Sequence, residues 1–516
     1  MFTRINSSGI QGIGAYPVSV EADVANGLPG FSISGQLSTE VREAQERVRT
    51  ALKNSGFQLP AKKITVNLSP AGVKKGGTAF DLPIAVAVLG AFGVLDTGGL
   101  GECLVIGELG LDGSVKPVPG VLVHTEAARA GGLRQCILPG ENEREGRLIK
   151  GIQIIGIRSL KELVQTLARP DWKSTGQKEE TEEEEKDRSC EGDLVDFKEI
   201  NGQGVLRRAA EVAAAGMHGL LMCGSAGTGK SMVASRIPTI LPGLTREEDI
   251  EISRVYSVCG KLPPGRPLLA KRPFRSPHHT ISDVALIGGG ANLQPGEISL
   301  AHNGVLFLDE LPEFNRSALE TLRGPLEDRE ITISRAKYTA TLPCSFMLVA
   351  SMNPCPCGYY NHPHHECVCS PGQIHRYLNK ISGPLLDRID IQVEVMPVAV
   401  EELATAPRGE TSETIRQRVI KARDIQTERF RNIPGIHCNA QMTASQLETF
   451  ATPDAEGARR LAFAMKSLNL SARAYGRILK VARTIADLDA SETILPQHIA
   501  EAIGYRNLDR SDWAER

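Results

Sequence analysis

The run GLLMCGSAGTGKSMV, Gly219 to Val233, constrains this chain more than any other stretch. A short apolar strand leads into a loop in which Gly224, Gly229, Lys230 and Ser231 fit the spacing G-x4-G-K-S, and helix-compatible residues follow at once. The glycines let successive backbone N–H groups of Gly224, Ser225, Ala226, Gly227, Thr228 and Gly229 face one anion, as a phosphate cradle requires. Lys230 is placed to neutralise the β- and γ-phosphates of ATP, and the Ser231 hydroxyl to complete a magnesium shell. A chance glycine turn has no reason to sit between a strand and a helix in register, so the motif is read as a nucleotide site.

Further apolar strands, GVLFLDE and SFMLVASMNP, alternate with helical stretches after Val195, the pattern of a parallel α/β sheet covered on both faces. Asp309 and Glu310 end the first of them, which puts two carboxylates at the carboxyl edge of the sheet, where open α/β sheets bind ligand. Asp309 is expected to hold magnesium and Glu310 to polarise the attacking water. Paired acids are often a solvated strand end, but four apolar residues precede these. After Pro397 the text turns helical: ETIRQRVIKARDIQTERF, EGARRLAFAMKSL and AYGRILKVARTIADL repeat apolar residues at i, i+3 and i+4.

At 516 residues the chain exceeds what one core usually organises. The expected divisions are a glycine-punctuated N-terminal domain over 1–170, a linker over 171–194, the phosphate-loop core over 195–398 with a cysteine-rich loop at 354–370, and a helical lid over 399–516. Glu179 to Asp193 holds nine acidic and two basic residues, net −7, so the total of −2 leaves about +5 elsewhere. Bulk charge therefore permits a nucleic-acid partner without arguing for one. No stretch reaches the ~20 apolar residues of a membrane span and the first residues lack a signal peptide's apolar centre. A reducing cytoplasm is expected, with the eleven cysteines as thiols or metal ligands.

The stretches GSAGTGKS, FRSPHHTISDVALIGGG, GEISLAHNGVLFLDELPEF, LRGPLEDREITISRA, ASMNPCPCG and GPLLDRIDI resemble the magnesium-chelatase-like branch of AAA+ ATPases, relatives of the MCM replicative helicases. With its N-terminal domain the chain is similar over nearly its whole length to the bacterial ComM/YifB family. The resemblance implies an α/β fold: a parallel-sheet AAA+ P-loop core with a helical lid, plus an N-terminal α+β domain of Lon-protease, ribosomal S5-like type. It also implies that Asn353 orients the attacking water, that Arg388 in LLDRIDI is an arginine finger reaching a neighbouring subunit, and that Arg473 in LSARAYG is a second sensor on the lid. A finger acting in trans needs a ring, so a homo-hexamer is implied. Taken alone, each arginine would more often be a surface ion pair.

Two insertions belong to the same resemblance. One covers Ile281 to Ile298 with its glycine run Gly288 to Gly290. The other, Asp328 to Pro343, reads as a β-hairpin with strands ITI and YTATL and a tip at Ser334 to Lys337. In the related helicases such loops line the ring pore, which would set Arg335 and Lys337 against DNA phosphates. Without the resemblance a solvated hairpin would be the preferred reading.

Cys355, Cys357, Cys367 and Cys369 form a C-x-C-x9-C-x-C pattern around His362, His364 and His365. Four thiolates match the count of a tetrahedral zinc site, although C-x-C is tighter than the usual C-x2-C. The rival is a loop of reduced thiols, and either is expected to support the loop without taking part in hydrolysis. In the N-terminal domain, NLSPAGVKKGGTAFDL and GELGLDGSVKPVPGVLVHTEAARAGGLRQCILP resemble the proteolytic domain of Lon. There the serine position falls on Thr78 and the lysine position on Leu122, and a leucine cannot take a proton. Lys74 and Lys75 are the nearest alternative bases, in the wrong motif position. The domain is read as an inactive scaffold.

These readings converge on an ATP-driven ring motor acting on single-stranded or branched DNA, a helicase or branch-migration translocase of recombination or transformation. The alternatives are a chelatase-like ATPase that remodels a partner protein, and an ATP-dependent Lon-like protease.

Overall fold

The structure is a computed structural model that describes residues 1–174, 195–263, 265–290, 293–335, 338–398, 409–468 and 470–506. Most of the expected linker therefore lies outside the described residues.

The N-terminal sheet has seven strands. β1 (Phe2–Gln11) and β2 (Gly14–Ala25) form an antiparallel hairpin, and β3 (Gly30–Ser34), β4 (Lys63–Ser69), β5 (Cys103–Val105), β6 (Gln135–Pro139) and β7 (Gln153–Ile157) complete the order β3-β4-β2-β1-β5-β6-β7. α1 (Thr39–Asn54) buries Val41, Ala44, Val48, Ala51 and Leu52, the i, i+3, i+4 stripe its sequence carries. α2 (Asp81–Ala91) has every residue buried, so its continuous apolar run DLPIAVAVLGA makes it a central helix with no solvated face. Its one charge, Asp81, is held by the Arg47 guanidinium at 2.7 and 2.9 Å. Burial still pushes the Asp81 carboxyl above its ordinary range, against the pull of Arg47.

The second sheet is parallel throughout. Its strands are β8 (Leu220–Gly224), β9 (Phe274–Arg275), β10 (Val305–Leu308), β13 (Met347–Met352) and β14 (Ile391–Val395), in the order β9-β10-β13-β8-β14. Between β10 and β13 the chain leaves the sheet as the antiparallel hairpin β11 (Glu330–Arg335) and β12 (Tyr338–Pro343). β8, β10 and β13 are buried at every residue, as parallel strands covered on both faces must be. Helices α3 (Val121–Ala130), α4 (Gly204–Gly216), α5 (Lys230–Ile240) and α6 (Arg246–Val258) precede a C-terminal set of α7 (Ser412–Phe430), α8 (Ala455–Ser467), α9 (Ala472–Leu488) and α10 (Pro496–Gly504). One hydrophobic core runs from α4 and α5 through the sheet into α7, α9 and α10, so the C-terminal helices share a core with the sheet they cover.

The N-terminal fold docks on α6. Gly120 N–H donates to the Ser257 carbonyl at 2.9 Å, Ser257 donates to Glu145, and Arg254 pairs with Glu126 at 2.7 Å. Leu122, Leu148 and Ile149 form an apolar cluster with Ile250 and Leu268 on the other side. Among the described residues no helix is long and apolar enough to cross a membrane.

Candidate nucleotide site and cysteine cluster

The phosphate loop starts where β8 ends against β14. A Cβ on Gly224 would stand 2.3 Å from the Val395 carbonyl oxygen, so close approach of the two strands dictates glycine there. Gly227 and Gly229 hold φ of +78° and +87°, the left-handed region that glycine adopts without strain. α5 then begins at Lys230, so the loop N–H groups and the helix N-terminus open at one place.

Lys230 curls back over the loop. Its Nζ donates to the carbonyls of Gly224 at 2.6 Å and Ser225 at 2.7 Å, and stands 3.5 Å from Asn353 Oδ1 at the end of β13. Burial lowers its pKa, an effect opposed by Cys223, Asp309 and Glu310. A phosphate arriving at this ammonium would replace neutral carbonyl acceptors by an anion, which is the stronger pairing. Ser231 Oγ donates to Asp309 Oδ2 at 2.9 Å, while Asp309 Oδ1 accepts from Ser351 and, at 3.0 Å, from the Glu310 N–H. Ser231 and Asp309, 78 residues apart in sequence, thus stand as the oxygen pair that magnesium with a nucleotide would require.

Glu310 sits two residues past the strand, with a left-handed φ of +55°. Its Oε2 lies 3.4 Å from His279 Nδ1, and the His279 ring packs against His278 with centroids 4.1 Å apart and the ring planes tilted by 33°. His279 and Ser351 are two residues of this site that motif spacing did not single out. The sequence signal for His279 is the HH pair inside the insertion-bearing stretch FRSPHHTISDVALIGGG, and that for Ser351 is its place in ASMNPCPCG two residues before Asn353.

Lys230, Ser231, Asp309 and Asn353 are brought together, with Glu310 alongside. The two arginines are placed elsewhere. Arg388 is 8% exposed, pairs with Glu327 at 2.8 Å and donates to the Pro384 carbonyl at 2.7 Å. Arg473, at the start of α9, is 61% exposed and lies 3.5 Å from Asp387, the residue next to Arg388. Each therefore has a carboxylate partner within its own chain. Lys337 and the side chain of Arg335 fall outside the described residues.

The four cysteine sulfurs lie within 4.8 Å of one another. Cys355 to Cys357 is 3.3 Å, and Cys367 is 3.6 Å from each of them. A tetrahedron with metal–sulfur bonds of about 2.3 Å has edges of roughly 3.8 Å, so the sulfurs stand near the corners a zinc ion would need. The Tyr360 N–H points at Cys355 Sγ from 3.3 Å, a backbone contact of the kind that supports a ligand thiolate.

In the N-terminal fold Thr78 donates its hydroxyl proton to Glu108. The Lys75 side chain is fully buried and donates to the Pro70 carbonyl. Leu122 is fully buried in the contact with α6, where a lysine would carry its charge into an apolar cluster.

The parallel sheet, its phosphate loop and the Ser231–Asp309 pair define a AAA+ ATPase core of the magnesium-chelatase type. Residues 196–403 match the family model for magnesium chelatase subunit ChlI, residues 20–142 match a second ChlI model, and residues 409–506 match the ChlI C-terminal model. The chain is 43% identical to Competence protein ComM of Haemophilus influenzae, over 98% of this chain and 97% of that one. It is likewise 43% identical to YifB of Escherichia coli, over 97% and 96% of the two chains. The chain belongs to the ComM/YifB family of magnesium-chelatase-like ATPases. A stretch of 120 residues is 28% identical to Lon protease 2 of Bacillus subtilis, over 23% of this chain and 21% of that one, in line with a Lon-like N-terminal fold.

Proposed function

We propose that this chain is an ATP-hydrolysing motor that acts on DNA as a cytoplasmic homo-hexameric ring, driving strand separation or branch migration. The observation that carries this reading is its end-to-end likeness to a protein named for competence, supported by the contact of Ser231 with Asp309 beside the phosphate loop. Asn353 orients the attacking water, Arg473 senses the bound nucleotide and Arg388 reaches the site of the next subunit. Arg335 and Lys337 supply phosphate contacts from the hairpin tip, which bind without regard to sequence. The domain divisions at about residues 170, 195 and 398 are part of the same proposal, with the N-terminal fold as a docking scaffold that performs no proteolysis.

The test is the ATPase rate of the full chain alone and with single-stranded, duplex and four-way-junction DNA at several salt concentrations. Stimulation by at least one DNA form, weakening as salt rises, is the expected result. A second reading, remodelling of a partner protein, is favoured by the magnesium-chelatase description of the matched family models. It predicts an ATPase rate indifferent to every DNA form, and that outcome would replace the first reading by the second.

The four thiols hold a structural zinc, because four thiolates close its coordination shell. Protein purified without chelator and under reducing conditions is expected to contain about one zinc per chain, released together with four titratable thiols on mercurial treatment. Elemental analysis that finds no metal would remove the site.

A further inference from the structure

The hairpin β11/β12 is gripped at its base by a segment from the far end of the chain. Arg329, with φ of +58°, is the residue before β11, and its carbonyl accepts from the Cys344 N–H at 2.9 Å to close the hairpin. Its guanidinium donates from one nitrogen to the Gly435 carbonyl at 2.9 Å and from another to the Gln441 carbonyl at 3.1 Å. Gln441 also reaches the opposite foot of the hairpin, where its Nε2 stands 3.5 Å from Ser345 Oγ. One loop, Gly435 to Gln441, therefore holds both feet. On another side the β1–β2 turn abuts the hairpin: a Cβ on Gly12 would stand 2.7 Å from the Ala340 Cβ.

That loop is in turn fastened to α9. Lys480 donates to the Ala440 carbonyl at 2.8 Å, and the Asn439 amide donates to Thr484 Oγ1 at 3.0 Å and Asp487 Oδ2 at 2.7 Å. Asn439 and Thr484 are fully buried and Asp487 is 2% exposed, so a buried hydrogen-bonded network ties the loop to the helix. At the other end of α9, Arg473 and Arg477 lie one turn apart and face Asp387 at 3.5 Å and Asp390 at 2.7 Å. At 1.5 Å per residue, about 10 Å of rigid helix separates Arg473 from Lys480. The path from Arg473 through α9, the 435–441 loop and Arg329 to the hairpin has a hydrogen bond or a covalent helix at every step.

We propose that Arg329 is a positioning residue that transmits displacement of α9 to the β11/β12 hairpin, so that the hairpin moves with nucleotide occupancy through its grip on the 435–441 carbonyls. The inference rests on the reading of Arg473 as the nucleotide sensor. A guanidinium suits the task because its planar fork fixes two acceptors at once, whereas a lysine ammonium holds carbonyls from a flexible stem. The conformational element is the α9 body, and its two bias points are the nucleotide and the hairpin.

The test is amide hydrogen exchange of full-length protein with and without a non-hydrolysable ATP analogue and magnesium, followed in peptides covering 330–343 and 472–488. In the parent, exchange in both regions is expected to change on binding. In Arg329→Ala the hairpin response is lost while the α9 response persists, and Arg329→Lys, which keeps the charge and guards against a folding defect, shows a reduced hairpin response. A role confined to stability would alter hairpin exchange equally with and without the analogue. Hairpin responses equal to the parent in both variants would overturn the link, as would a parent hairpin that ignores the analogue in protein shown by fluorescence titration to bind it. Failure of the parent to bind the analogue would overturn the nucleotide-site reading on which the link rests.

Discussion

Glu310→Gln is expected to leave ATP affinity near the parent value and to lower turnover on the order of 10³-fold, the range that removal of a positioned general base produces. Glutamine keeps the size of the side chain but cannot accept a proton, so an effect on turnover without one on binding isolates the chemistry. Glu310 is suited to the role by its placement. It follows the buried strand β10 by two residues, in a left-handed backbone conformation, and its side chain is 55% exposed. The His279 imidazole lies 3.4 Å from that carboxylate. Lys230→Ala is expected to separate the two functions in the opposite sense and weaken affinity, since its ammonium lies over the Gly224 and Ser225 carbonyls of the phosphate loop. Turnover measured at saturating ATP, beside a fluorescent-nucleotide titration, reads both quantities. Parent-rate hydrolysis by the Glu310 variant would show that another group activates the water.

Arg388→Ala is expected to lower turnover by on the order of 10³-fold or more, as loss of an arginine finger does in other nucleotide hydrolases. Within one chain this side chain is 8% exposed and paired with Glu327, with no contact to the phosphate loop among the described residues. A loss of activity would therefore have to arise across a subunit boundary or through folding, and a mixing experiment tells these apart. Arg388→Ala subunits keep an intact phosphate loop, and Lys230→Ala subunits keep an intact finger. Assembled together, they create interfaces in which one supplies the nucleotide site and the other the arginine, so the mixture should regain activity that neither has alone. An inactive mixture, in rings shown by sedimentation to contain both variants, would exclude action in trans. Glu327→Gln adds a check, since freeing Arg388 from its in-chain partner should not reduce the rate if the finger's work is done elsewhere.

The N-terminal fold contacts α6 through the position that the Lon resemblance makes decisive for proteolysis. The position where a Lon-type lysine would stand is Leu122, and in three dimensions it forms part of the apolar contact with Ile250 and Leu268 beside α6. Its backbone N–H is satisfied by Glu145 at 3.0 Å, and Glu145 also accepts from Ser257 of α6. Under the proposed reading, the residue at the lysine position of the Lon resemblance serves as a contact between the two folds, and the motif reading by itself says nothing of that contact.

What the sequence determined by itself was whatever depends on neighbours along the chain. The strand, glycine loop and helix around Gly224 to Ser231 are local: backbone freedom at Gly227 and Gly229 and the apolar run before them suffice to predict the cradle. The acidic pair closing β10, the hairpin between Asp328 and Pro343 and the amphipathic C-terminal helices were legible for the same reason, through periodicity and turn chemistry over a few residues. The β1–β2 hairpin was not, because inward positions such as Thr3 and Ser7 are buried polar residues that blur the apolar alternation. Tertiary structure decided everything that joins distant segments. It set Ser351 and His279 beside the two acids, closed four cysteines of one loop to 4.8 Å, and gave Arg388 and Arg473 in-chain carboxylate partners. It also carried Arg329 to carbonyls 106 and 112 residues away. A hydrogen bond to a backbone carbonyl leaves no mark on side-chain identity at the acceptor, so no pattern of residue types could have announced that grip.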